Sequence, residues 1–309
     1  MRFVLSGEQE QFSRSLNDLL SGVDTDSANR AWAAGDPGPG LKVWRRLAEL
    51  GVTALAVPEK YDGLGATPVD LAVGFERLGY HCAPGPWTDT VAVLPSLVDD
   101  ELLTSVASGE TLASVAYAPH VPYALDSDVA DARLSVENGR LRAFTPGPLW
   151  SSVDSSRRLF PPVDGDDLGT AFDADRAFEL GCLATAAQLL GAGRWLLDTS
   201  VAYAAQRKQY GREIGGYQAV KHLLADVATA LTLAEPLLFG AAVTLDRRDV
   251  SAAKVACGDA AHLAARTGLQ VHGAIGYTAE HALGLRLTRV RALVGAWGTP
   301  RFHRERVLS

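Results

Sequence analysis

Three long stretches rich in alanine and leucine, at about 175–207, 217–246 and 250–272, constrain this chain more than anything else in it. "YQAVKHLLADVATALTLAEPLLFGAAVTL" and "SAAKVACGDAAHLAARTGLQVHG" bring small apolar residues back every three or four positions, the period of a helix face. Each is longer than an ordinary globular helix, and long neighbours of this kind pack as an antiparallel bundle. Residues 173–309 therefore read as a C-terminal helical bundle. With 309 residues, 47% of them hydrophobic, the chain can fill that core and two smaller units before it.

Residues 1–108 read as a helical domain. "LKVWRRLAELG" sets Leu41, Trp44, Leu47 and Leu50 on one face and closes at Gly51, as a helix with a glycine cap does. "VPEKYDGLGATPVDLAVGFERLG" runs from an X-Pro turn through a glycine-rich loop into a helix starting near Thr67-Pro68, since proline is favoured in a first turn. At 109–172 the character changes. "TLASVAYAP", "ARLSVENGRLRAF" and "SSRRLFPPV" are short, β-branched or alternating, and are set off by Asn-Gly, Pro and Asp-Gly. That pattern predicts strands and hairpins in a small sheet that needs a neighbour to cover it. The expected fold is mostly α, in the order helical domain, small β-domain, helical bundle.

Charge and cysteines narrow the function. A net charge of −7 with dispersed basic residues offers no footprint for nucleic acid. Cys82, Cys182 and Cys257 are odd in number and far apart, which suits buried thiols rather than a disulfide framework or a metal site. The opening "MRFVLSGEQEQ" has neither a signal-peptide core nor the length of a membrane span. The expectation is a cytoplasmic chain with no membrane role.

Two stretches carry chemistry. In "QRKQYGREIGGYQAVKHLLAD", Arg207, Lys208 and Arg212 cluster at a helix end that breaks at Gly211, and the next helix begins near Tyr217-Gln218. Free N–H groups at a helix start beside guanidinium groups suit a phosphate or pyrophosphate; a solvated basic turn has the same composition. In "LQVHGAIGYTAEHALGLRLTR", Gly273 and Gly276 bracket a turn where backbone can approach a ligand, with Gln270 and His272 beside it. A plain helix-to-helix turn fits that stretch equally. His272 has no carboxylate or cysteine partner nearby in sequence and reads as a structural histidine.

Taken in order, these stretches resemble the acyl-CoA dehydrogenase family, whose pattern is Arg-x-x-Phe-Gly, a Phe-Gln, then Gln-x-x-Gly-Gly-x-Gly-aromatic-Thr. "VPEKYDGLGAT" near the front is similar to the family's Pro-Glu-x-x-Gly-Gly-x-Gly loop. The resemblance implies a helical domain, a β-domain and a C-terminal four-helix bundle. It also implies FAD bound across a subunit interface, one subunit holding the flavin ring and its neighbour the adenosine diphosphate end. Carried onto this chain, that second set is Arg207 and Gln218 with support from Tyr210, then Gln270 and the turn Gly273-Ala274. Ala274 stands where the family usually has its second glycine.

The same resemblance exposes losses. The family's base, a glutamate that removes the α-proton of an acyl-CoA, usually sits directly before a Gly-Thr. Here Gly298-Thr299 is present and Trp297 precedes it, and an indole has no proton to exchange near neutral pH. A minority of the family carries the glutamate on the first bundle helix, where a gap-free count places Gly181. Glu179 is two residues away and points elsewhere on a helix, so the chain is expected to have no catalytic base. The β-domain is short, lacks the family's Thr-Glu-x-x-x-Gly-Ser-Asp stretch, and offers only Trp150 in "PLWSSVDSS", a surface or β-core aromatic.

What remains is what reaches a neighbour's FAD. The chain is thus similar to the smaller, non-catalytic subunits of actinobacterial heterotetrameric acyl-CoA dehydrogenases, such as those of steroid breakdown. That likeness implies a full-length partner holding most of the acyl-CoA, with an electron-transfer flavoprotein as acceptor. A homomeric flavoenzyme of altered chemistry, or a scaffold or acyl-CoA-binding protein without redox function, are the other readings the residues allow.

Overall fold

Capping chemistry sets where the first helices begin. α1 (Gly7–Ser21) starts from a capping box in which Ser6 and Gln9 bond each other's backbone, and α2 (Thr25–Ala33) from the Asp24 carboxylate. α3 (Gly38–Glu49) has proline in its first turn and buries Val43, Trp44 and Leu47. Leu50, expected on that face, is exposed instead, because the backbone turns away at Gly51 (φ 85°). α4 (Pro68–Tyr80) begins where Thr67-Pro68 predicts, Thr67 and Asp70 forming a second capping box. A π-helical turn at Thr88–Val93 leads into α5 (Leu94–Leu97), and α6 (Leu102–Ala107) closes the helical run. The computed structural model describes residues 4–163, 165–278 and 282–309.

Strands follow: β1 (Ala113–Tyr117), β2 (Ala124–Leu125), β3 (Ala132–Glu137), β4 (Arg140–Ala143), β5 (Thr145–Pro146), β6 (Leu159–Phe160), β7 (Pro162–Val163) and β8 (Asp167–Thr170). The main sheet has the order β1-β3-β4-β8, with β1 parallel to β3 and the other neighbours antiparallel. Asn138 and Gly139, at φ 49° and 75°, form the tight turn between β3 and β4, the two-residue geometry that Asn-Gly favours. β2–β6 and β5–β7 are separate short pairs.

The bundle begins with α7 (Ala174–Gln206), capped by Asp173. A small hairpin of β9 (Lys208–Gln209) and β10 (Arg212–Glu213) leads to α8 (Gln218–Thr244). α9 (Arg247–His272), α10 (Ala282–Gly295) and α11 (Pro300–Leu308) complete it. A continuous core joins the three parts, from Trp44 and Phe75 through Val115 and Leu134 to Leu189, Leu238 and Leu293. α4 lies along α7, where Arg194 donates to Glu76 at 3.0 Å.

By length and composition both α7 and α8 could cross a membrane, but 83% of the most apolar window of α7 is buried within the molecule and only 33% of that of α8. α7 is therefore the core helix of the bundle, while α8 presents Leu233, Leu237 and Val243 outward.

Candidate functional site

The loop between α10 and α11 is held from several directions. Lys254, buried on α9, donates to the carbonyls of Leu293 and Val294 at 3.1 and 3.2 Å, satisfying orphan acceptors at the C-terminal end of α10. Burial pushes its ammonium down to about 8. Trp297 and Gly298 then take left-handed conformations, φ 54° and 103°, and Thr299 caps α11 by accepting from the Phe302 N–H at 3.2 Å. The reversal turns the indole inward, leaving Trp297 3% exposed.

It lands on Gly181. A Cβ at position 181 would lie 2.5 Å from Trp297 Cε3, well inside van der Waals contact. The two positions where the family resemblance seats a base thus meet face to face, filled by one indole lying on one glycine. Tyr117 and Phe178 complete the wall, with ring centroids 6.1 and 6.0 Å from that of Trp297. Proton abstraction needs a titratable group within hydrogen-bond reach of the substrate, and neither residue supplies one.

Glu179 is turned out of this contact. Its carboxylate is ion-paired with Arg306, whose other donor reaches Ser251 Oγ at 3.1 Å. Burial raises its pKa, with Arg306 opposing. His303 closes the chain of bonds: Nε2 donates to the Trp297 carbonyl at 2.9 Å and Nδ1 accepts from Ser251 Oγ at 3.1 Å. The carbonyl can only accept, which fixes the tautomer. Burial holds His303 down at about 4, so the ring is neutral. Cys182 Sγ donates to the same carbonyl at 3.2 Å, and burial pushes its thiol up. Outside the plug a cleft of about 920 Å³ remains, flanked by His120, Asp175, Glu179, Arg247 and Arg306.

At the far end of the bundle the chain is open. α7 stops at Gln206 with Arg207 as its cap, so the expected break at Gly211 lies too late. Tyr210 and Gly211 both adopt positive φ, 52° and 84°, and form the turn of the β9–β10 hairpin; successive left-handed residues of this kind end a helix and match a strand pair. Tyr217 clamps that hairpin to the start of α8: its hydroxyl donates to the Gln209 carbonyl at 3.1 Å and the Arg212 guanidinium lies 3.9 Å from its ring centre. Among the described residues no side chain caps α8, leaving its first N–H groups available.

Because α7 runs up, α8 down and α9 up, Arg207, Tyr210, Gln218 and Gln270 come to the same end of the bundle, and all four are exposed. Among the described residues the side chains of Arg207, Gln218 and Gln270 make no hydrogen bond or ion pair. Gly273 ends α9 at φ 63° and ψ −138°, a conformation open essentially to glycine alone. Among the described residues nothing lies within 4 Å of where its Cβ would be, which leaves room for close approach to its backbone. Ala274 follows in a 3₁₀ turn, Gly273–Tyr277, and is exposed. His272 is buried and packs inside the bundle end. Trp150 is 51% exposed, its ring 5.0 Å from that of Tyr123.

Sequence reading passed over Lys254, Ser251, His303 and Arg306. A signal existed for Lys254: it interrupts a stripe formed by Val250, Ala253, Cys257 and Ala261, and a lysine in an apolar stripe needs acceptors.

Comparison with known proteins agrees with this architecture. Residues 6–103 match the acyl-CoA dehydrogenase N-terminal domain family and 172–308 the C-terminal domain family. The acyl-CoA dehydrogenase IpdE2 of Mycolicibacterium smegmatis is 29% identical over 304 residues, 96% of either chain. Among solved structures, the Tcur3481–Tcur3483 steroid ACAD superposes with a TM-score of 0.85 at 19% identity, over 97% of this chain and 96% of that one. The ChsE4–ChsE5 complex of Mycobacterium tuberculosis does so with 0.84 at 21% identity, over 99% and 98%. Both ends of the chain match in order and the fold is shared throughout, so this chain belongs to the acyl-CoA dehydrogenase family.

Proposed function

We propose that this chain is the non-catalytic subunit of a heteromeric FAD-dependent acyl-CoA dehydrogenase: it completes the FAD site of a full-length partner and carries out no proton abstraction itself. The observation that carries the reading is the indole of Trp297 lying on Gly181. It closes both seats of the base within this chain, while at the other end of the bundle Arg207, Gln218 and Gln270 are exposed and, among the described residues, make no side-chain hydrogen bond or ion pair.

The residues at that end fit the adenosine diphosphate portion of FAD. Arg207 offers charge-assisted donors to the pyrophosphate, the uncapped start of α8 adds N–H groups, Gln218 and Gln270 add amides, and Gly273 leaves room for close approach. When bound, FAD supplies the hydride acceptor for α,β-dehydrogenation. The contribution of this chain is to hold and orient the cofactor's far end. The partner supplies the base and most of the acyl-CoA pocket, and the acyl group is steroid-derived in this reading, as the name of one structural neighbour suggests. Electrons pass on to an electron-transfer flavoprotein, and the complex works in the cytoplasm. The half-exposed apolar face of α8, with Leu233 65% exposed, supports a second subunit there, because such faces are covered in working assemblies.

The test is co-expression with a full-length acyl-CoA dehydrogenase encoded beside this chain. Expected are a colourless, inactive product from this chain alone and a yellow, active complex from the pair. Arg207→Ala should weaken FAD binding by the complex about tenfold or more, the loss of a charged hydrogen bond being about 1.5–3 kcal/mol. A yellow and active homomer with one FAD per chain would overturn the proposal.

A further inference from the structure

The groups assigned to the nucleotide come from two separate loops. Arg207 to Gln218 follow α7, and Gln270 to Gly273 close α9. Anion donors work only at a fixed spacing, so something must hold the ends of α7 and α9 in register. Tyr203, one helical turn before Arg207, stacks on His272, which lies between Gln270 and Gly273; the ring centroids are 4.4 Å apart and the planes 25° from parallel.

The stack is itself anchored. His272 is 4% exposed, and its Nδ1 lies 2.8 Å from the Gly268 carbonyl; a carbonyl only accepts, so Nδ1 carries a proton. One turn back along each helix, Ser200 faces Gly268, where a Cβ would come within 3.2 Å of Ser200 Oγ. Gly268 lets the two helices close, and the rings fill the space above it. Stacked aromatic rings have a preferred offset and tilt, so the pair resists sliding of one helix end past the other.

We propose that Tyr203 and His272 are the positioning pair of the cofactor site, setting the distance between Arg207 and the Gln270–Gly273 turn. The proposal rests on the reading that this end of the bundle holds the adenosine diphosphate portion of FAD. Tyr203 acts through the helix ends and needs no hydroxyl for the purpose, which separates it from a ligand residue.

The experiment uses the native complex, recovered from cells through a tag on this chain, stripped of flavin and titrated with FAD and, in competition, with ADP. Tyr203→Phe keeps the ring and should bind both within twofold of the unaltered complex. Tyr203→Ala should weaken both by the same factor, about 2- to 10-fold, with the subunit composition unchanged. Tyr203→Leu, which keeps apolar bulk without a ring, covers the case in which Tyr203→Ala fails to assemble, and should weaken both ligands to a similar degree. Unaltered affinity in Tyr203→Ala or Tyr203→Leu, or equal losses in Tyr203→Phe and Tyr203→Ala, would overturn the positioning pair. Arg207→Ala run alongside separates the two claims. If it binds FAD normally, the cofactor reading itself fails; if it loses FAD while Tyr203→Ala does not, only the stack is refuted.

Discussion

The contact between Trp297 and Gly181 makes a prediction at the scale of single residues. Adding one methyl at 181 drives a Cβ to 2.5 Å from the indole, and overpacking of this kind costs about 1–3 kcal/mol. Gly181→Ala should therefore lower the melting temperature of the chain by several degrees. Trp297→Ala removes a buried aromatic and should cost about 3–5 kcal/mol. In that second background the Gly181→Ala penalty should vanish, because its collision partner is gone. Thermal unfolding of the two single variants and the double variant measures the coupling; additive losses would show that the indole does not rest on Gly181. The identity of both residues is plain in the sequence: the Gly298-Thr299 pair marks position 297, and a gap-free count marks position 181. Their contact is not plain, since a left-handed Trp297 has no local signature and the bonds from His303 and Cys182 that fix it come from other helices.

At the scale of elements, the three bundle helices were readable almost to their ends because small apolar residues recur at the helical period over their whole length. The error at Gly211 arose from Tyr210, a non-glycine residue at φ 52°, which turns a basic helix end into a hairpin. The burial of α8 was also beyond periodicity: it is apolar nearly all round, and only the fold shows which side lacks a neighbour. On that side Leu233 and Leu237, 65% and 46% exposed, lie one turn apart. Leu237→Asp and Leu233→Asp should leave the lone chain within about 0.5 kcal/mol of its original stability, as exposed substitutions do. In the complex an uncompensated buried carboxylate costs several kcal/mol, so the tagged variants should no longer retain a partner subunit on purification. Retention by both would place the interface elsewhere.

Across the whole molecule, the helical domain, the sheet and α10 meet around buried acids. Asp89, in the π-helical turn, accepts from the Val115 N–H of β1 at 3.0 Å. Asp126 accepts from Trp32 Nε1 of α2 at 3.0 Å and from the Arg158 N–H at 3.1 Å. Asp154 is ion-paired with Arg289 of α10, which also donates to Asn29 Oδ1 at 3.0 Å. None of this was legible in the sequence, where the acids lie dozens of residues apart and look like surface loop residues. Burial raises both Asp89 and Asp126 to about 7, against backbone and indole donors and the nearby Arg157 that oppose the rise. Their ordinary value is 3.8. Between these limits the native state keeps protons that the unfolded chain has released, so stability falls as pH rises. Below about pH 4 both states are protonated at these groups, and above about 7 both are ionised and the loss is complete. One pKa unit is about 1.4 kcal/mol, so for the two groups together the total fall between pH 5 and 7 should be on the order of 4 kcal/mol. Denaturant titrations at pH 5, 6 and 7 should show this decline, and Asp89→Asn should flatten part of it. A stability that rises over this interval, or a slope unchanged in Asp89→Asn, would mean that these carboxyls are already ionised where the three parts of the fold join.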